Sequence, residues 1–166
     1  MEGEPNPTYL PPDVDPSRAR WFAEQLVALE EEALWPPSPG AEIYRFTWLR
    51  SFDHPTTVRL EISGTTARIV AKAGSGAGGY DPGTVVDRRE RRLDLAEART
   101  LAGRLELSGE SPSWFLVLDG AEWILEAVKG GEYTVRVMCS PEDRPFRYGC
   151  LKLLRASRLR VRGDVY

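Results

Sequence analysis

Apolar residues first recur at helical spacing. Phe22, Leu26, Leu29 and Ala33 fall on one stripe. Asp15 precedes them as an N-cap, and Pro16 sits in the first-turn position that suits its fixed φ. Pro36-Pro37 is the expected stop, just after Trp35, because a residue before proline is pushed out of the helical region. On this reading the Glu30-Glu31-Glu32 run is mostly the solvated side.

From residue 43 the period becomes two. Tyr44, Phe46 and Trp48 alternate with Arg45 and Thr47, which predicts a half-buried strand. Val58, Leu60 and Ile62 alternate with Arg59 and Glu61 in the next. Ser63-Gly64-Thr65-Thr66 is turn chemistry, and a third strand covers about 67–73. The glycine-rich AGSGAGGYDPG (73–83) leads to a fourth strand near 84–92. Asp94 with Glu97 is a capping box opening a second helix, with Leu95, Ala98, Leu101, Ala102 and Leu105 as its apolar positions. Asp119-Gly120 and Gly130-Gly131 each join two strand-like runs through dipeptides that tolerate positive φ. A last helix is expected over about 145–157. RLRVRG after it reads as a short strand or an extended tail.

Most connections are hairpins, which argues for an α+β fold: one domain with a mainly antiparallel sheet of about six strands and two to three helices packed on one face. Residues 1–15, with four prolines, read as an irregular arm, and 16–166 as the domain. With 42% hydrophobic and 28% charged residues the composition is that of an ordinary globular chain. No apolar run nears the roughly 18 residues that cross a membrane. The acidic, proline-rich start lacks the pattern of a signal peptide, so the expected location is cytoplasmic if Met1 is the natural start.

Net charge is −3, too mild to argue for nucleic acid or an anionic membrane. The basic runs DRRERR (87–92) and RLRVR (158–162) come without a recognition helix or an aromatic platform, and the first is interleaved with acids. Charge is nonetheless uneven. Residues 1–50 hold nine acids and four arginines, whereas 144–162 hold seven basic groups and no acid. Either the two ends attract each other, or one face is a polar binding surface, or both are solvated faces.

Both cysteines lie in CSPEDRPFRYGC (139–150). A structural zinc wants four ligands, and the only histidine is His54. A disulfide fits the geometry, since both side chains are expected to point toward the same core, but a chain without a signal peptide meets a reducing compartment. Two buried thiols in a strand that runs into a helix is the remaining reading. The glycine-rich stretch lacks the Gly-Lys-Ser/Thr of a P-loop and opens no helix, so no cofactor is expected from it. In SFDHP (51–55), Asp53 and His54 are neighbours in a turn, and His54 is a general-base candidate by type alone. Glu126 shares a strand face with Ile124 and Val128. A charge there needs either an arginine partner or a pocket that raises its pKa.

LRSFDHP (49–55), GAGGYDPG (76–83), LDGAEWILEAVKGGEY (118–133) and SPEDRPFRYGCLKLL (140–154) together resemble a bacterial protein family without an assigned activity. The resemblance covers about 45–157 and implies no catalytic residues. This chain departs from the pattern at Met138 and Cys139, where arginine and tryptophan are expected. The N-terminal helix lies outside it and reads as a specialised addition.

The leading expectation is a non-enzymatic binding protein, of the immunity or inhibitor type, acting on a protein partner. Its expected surface is the loops with Asp53, His54, Tyr80 and Asp81, or the basic patch with Arg144 and Arg147, since aromatics and arginine anchor such contacts. The alternatives are a small-ligand or hydrolytic site built on Glu126 and His54, and a structural or regulatory subunit docking through its N-terminal helix and arm.

Overall fold

A computed structural model describes residues 8–109 and 120–166. Along the chain run α1 (Pro16–Ala28), β1 (Glu42–Arg50), β2 (Thr56–Ser63), β3 (Thr66–Gly74), β4 (Val85–Leu93), α2 (Leu95–Gly103), β5 (Ala121–Lys129), β6 (Glu132–Cys139) and α3 (Arg144–Ser157). The strands form one antiparallel sheet in the order β4-β3-β2-β1-β5-β6. The α+β architecture read from the hairpin pattern is the one observed. No helix among the described residues is long and apolar enough to cross a membrane. The expected WFLVL strand and Asp119 of the Asp119-Gly120 turn lie outside the described residues.

The turns follow from glycine's freedom at positive φ. Gly130 (φ 60°) and Gly131 (φ 77°) close β5 onto β6 as a I′ turn demands. Gly64 (φ 57°) supplies the positive angle between β2 and β3.

Period-two alternation sorts the strand side chains onto two faces. On one, Tyr44, Phe46, Trp48, Val58, Leu60, Ile69, Trp123 and Leu125 pack under α2 and α3 through Ala98, Leu101, Phe146, Cys150 and Leu153. Trp123 is the hub, with ring centroids 5.2 Å from Phe46 and from Trp48 and 6.5 Å from Phe146. Two helices thus share a face, as expected. The third does not join them. Phe22, Ala23 and Leu26 of α1, with Tyr9 and Leu10 ahead of it, cover the opposite face against Leu49, Ile124 and Val137. The strand expected to be half-buried, β1, is therefore buried on both faces from Arg45 to Arg50.

α1 also ends sooner than its stripe suggests. It stops at Ala28, with Glu30 left-handed (φ 55°) and the Glu31 amide donating to the Leu26 carbonyl at 2.9 Å. Ala33 is outside the helix, and Glu31 is 3% exposed rather than on a solvated side. The reason is electrostatic. The sheet face below carries Arg45, Arg59 and Lys72, and their attraction for Glu31 turns the chain inward before the prolines are reached.

The cysteines also differ from expectation. Cys139 ends β6 opposite Glu122 on the α1-covered face, whereas Cys150 lies under α3 on the other. The sheet separates them, so they do not point into one core. Both are free thiols, and burial pushes both pKa values up. The acidic N-terminal part and basic α3 likewise lie on opposite faces. Among the described residues no ion pair joins 8–50 to 144–162.

Asp143 caps α3. Its Oδ1 accepts from the Phe146 amide and its Oδ2 from Arg136, both at 3.1 Å. The Phe146 amide, then Arg136, hold its carboxyl below the usual range. A lowered native pKa gives stability that is present above the unfolded value and lost as pH falls through the native one. Asp143→Asn keeps the cap acceptor but not the charge. Thermal melts should therefore show the variant less stable than the parent at about pH 6, with the gap closing toward about pH 2. A gap independent of pH would mean that the charge contributes nothing.

Candidate functional site

One end of the sheet gathers the loop after β1 (51–55), the β3–β4 connection (75–84), the β6–α3 turn (140–143) and the tail after α3. Arg50 organises it. Its guanidinium lies 4.2 Å over the Trp48 ring, donates to the carbonyls of Arg162 (2.8 Å) and Asp164 (3.2 Å), and approaches Asp53 at 3.4 Å. The Tyr166 hydroxyl donates to Asp53 at 3.1 Å. The indole N–H groups of Trp48 and Trp123 both donate to the Tyr166 main-chain oxygen, at 3.3 and 2.9 Å. Arg147 adds a hydrogen bond to the Val165 carbonyl at 2.9 Å. RLRVRG is thus part of an extended tail tied across the sheet end.

The glycine-rich connection folds back on itself. Ser75, Gly76 and Ala77 donate to the carbonyls of Thr84, Pro82 and Asp81 at 2.9, 3.1 and 2.8 Å. Gly78 donates to the Asp53 carbonyl at 3.0 Å, and the His54 Nδ1 meets the Gly76 carbonyl at 2.8 Å, donating when that nitrogen carries the proton. α1 then clamps the loop. The Trp21 indole donates to Gly79 at 2.8 Å, and Gln25 accepts from Gly79 at 3.1 Å. A Cβ on Gly76 would sit 1.8 Å from the Asp81 carbonyl oxygen, and one on Gly78 2.6 Å from the Arg50 nitrogen. These glycines serve close backbone packing, and the amides a phosphate cradle would use are bonded to the protein's own carbonyls.

The LRSFDHP and GAGGYDPG segments therefore form one rigid unit. It carries Asp53 (half-buried), His54, Tyr80 and Asp81 (all exposed), and Asp81 Oδ1 accepts from the Gly83 amide at 3.0 Å. Arg144 is exposed in the first turn of α3, and Arg147 lies 5.4 Å over Trp123. Six of the seven expected residues thus stand at this sheet end. The most exposed apolar side chain of the unit, Phe52 at 74%, was missed by sequence reasoning. A phenylalanine inside a polar SFDHP turn is the signal that could have found it.

Glu126 does not join them. It is fully buried at mid-strand and paired with Arg45 through two hydrogen bonds of 2.7 and 2.9 Å, while the Tyr133 hydroxyl donates to it at 2.9 Å. Arg45 also donates to the Glu32 carbonyl at 2.6 Å. Next to this pair the Glu31 carboxylate takes Arg59 at 2.5 Å and Lys72 at 2.9 Å, and Lys72 also donates to the Glu30 carbonyl at 2.5 Å. Five residues of strand, about 17 Å, separate Arg45 from the sheet end at Arg50. Glu126 and His54 therefore share no pocket. Surface depressions of about 390, 260 and 430 Å³ lie elsewhere. Among the described residues no three His, Cys, Asp or Glu gather as a metal-binding group.

Comparison with protein-family models and with curated proteins finds no match to this chain.

Proposed function

We propose that this chain is a non-enzymatic protein-binding domain, of the immunity or inhibitor kind, that blocks a partner with the loop end of its sheet. One observation carries the reading. Phe52 is 74% and Tyr80 58% exposed, on two loops that are hydrogen-bonded to each other and clamped by Trp21 and Gln25. Large aromatics left in water gain most from burial in a partner. Loops already held in shape lose little entropy on binding. Asp53, His54, Asp81, Arg144 and Arg147 supply polar groups of both signs around them, the usual rim of such a contact.

The test is capture of a partner from native lysate of the source, with the parent chain and with Phe52→Ala/Tyr80→Ala. The parent should retain a one-to-one protein complex. Loss of about 2 kcal/mol per anchor is about thirtyfold each, which should abolish capture by the double variant. Its unfolding free energy should stay within about 0.5 kcal/mol of the parent, since both rings are exposed. No stoichiometric partner, or one held equally by the double variant, sinks the reading.

A further inference from the structure

We propose that the outer edge of β4 docks an acidic extended segment of another protein as a further strand. The inference is independent of the loop-end reading and concerns a different surface. Among the described residues β4 pairs only with β3, through eight of its nine residues, with Val86 at a bulge in the register. An edge strand presents unpaired N–H and C=O groups at alternate residues, a template for strand addition. Val86, 60% exposed, offers an apolar anchor at one end.

Charge selects the occupant. β4 holds four arginines and two acids, a net of +2. Arg91 is committed, donating to the Ala156 carbonyl at 3.1 Å and to Glu97 at 2.6 Å. Arg88, Glu90 and Arg92 stand opposite Lys72, Val70 and Arg68, on the sheet face that α1 covers farther along. Glu90 has only loose contacts of 3.4 Å to Arg68 and 3.5 Å to Arg88, and side chains this exposed gain little from such pairs. Arg92 has no acidic partner among the described residues. Beside it opens the depression of about 390 Å³, lined by Glu61, Arg68, Glu90 and Leu93 among others. An incoming strand with acids opposite Arg88 and Arg92 meets cations at both, and its side chains have that depression to enter. A second copy of β4 is disfavoured. It brings a net +2 against a net +2, and although the full-overlap register about Arg89 sets Asp87 against Arg91 and Arg88 against Glu90, Arg91 is already held by Glu97 and Arg89 meets its own copy. Net charge thus favours an acidic strand over a second copy.

The experiment titrates the intact chain with a labelled nine-residue peptide that alternates valine with polar residues, with glutamates to meet Arg88 and Arg92 and a threonine between them to meet Glu90. Controls are the same peptide with lysine for glutamate and the acidic peptide with a central proline. The acidic peptide should bind, and both controls should bind about tenfold weaker or less. Arg88→Glu/Arg92→Glu should weaken the acidic peptide about tenfold with an unchanged melting temperature, both side chains being exposed. Hydrogen exchange should slow at alternate β4 amides. Absence of binding, or affinity indifferent to the double reversal, overturns the proposal. Equal binding of the proline peptide reduces it to diffuse charge attraction and overturns it too. A concentration-dependent dimer protecting the same amides would give the edge to a second copy instead. Phe52 and Tyr80 are intact in every variant, so failure here leaves the loop-end reading standing.

Discussion

Glu126→Ala should lower the unfolding free energy by about 3–5 kcal/mol, because it strands a cation in the middle of the sheet. Arg45 is fully buried, and its charge cannot be shed by deprotonation at any working pH. It would keep the Glu32 carbonyl and a 3.5 Å approach to Glu31. That carboxylate is already shared with Arg59 and Lys72, so it does not replace Glu126. The Tyr133 hydroxyl would lose its acceptor as well. The informative partner is Arg45→Met/Glu126→Leu/Tyr133→Phe, which removes both charges and the orphaned hydroxyl at similar volume. It should recover most of the loss and lie within about 2 kcal/mol of the parent, since an apolar replacement avoids the desolvation the pair suffers. Urea unfolding with an unchanged m-value would report this cleanly. A single variant within about 1 kcal/mol of the parent would mean that water reaches Arg45 and the pair is not the buried one described.

That network marks where local pattern stops being informative. Alternation along β1 correctly separates Tyr44, Phe46 and Trp48 from Arg45 and Thr47. It cannot say what lies over the polar set, and water is the default inference. Here the cover is Glu31 and the backbone carbonyls of Glu30 and Glu32, which accept from Lys72 and Arg45. A clue was present. Arg45, Arg59 and Lys72 fall on one face of three neighbouring strands, and a run of three acids follows the α1 stripe. Complementary charge at long sequence separation is tertiary information, which neither helical nor strand periodicity contains.

The loop end was more legible because its chemistry is local. Asp-His-Pro and a glycine-rich run announce turns, and these two turns adjoin because β1 and β3 end on the same side of an antiparallel meander. Glu126 was singled out for a sound reason, a charge among apolar neighbours, and an arginine partner was one of the two answers open to it. Which arginine could not be read, because Arg45 is 81 residues away in sequence.

Deleting residues through Trp35 should abolish cooperative folding. The sequence alone made the N-terminal helix look like an attachment, but its packing is that of a core layer. Leu10, Phe22, Leu26 and Leu29 are each fully buried. At about 1.5–3 kcal/mol apiece their burial contributes about 6–12 kcal/mol, comparable to the 5–15 kcal/mol net stability of a whole domain. The deletion would also uncover Leu49, Ile124 and Val137. It would take Glu31 from Arg59 and Lys72, leaving cations on a newly wetted apolar face. The truncated chain should bind a hydrophobic dye, lose near-ultraviolet dichroism and melt without a sharp transition. Should it fail to accumulate at all, Glu31→Ala carries the same test in milder form. That variant should cost about 3 kcal/mol, because it leaves Lys72, and the inner end of Arg59, without a carboxylate. A truncated chain that melts cooperatively and stays monomeric would reverse the assignment. The α1 layer would then be a detachable cover over a charged sheet face, and a partner that takes its place would become the first thing to seek.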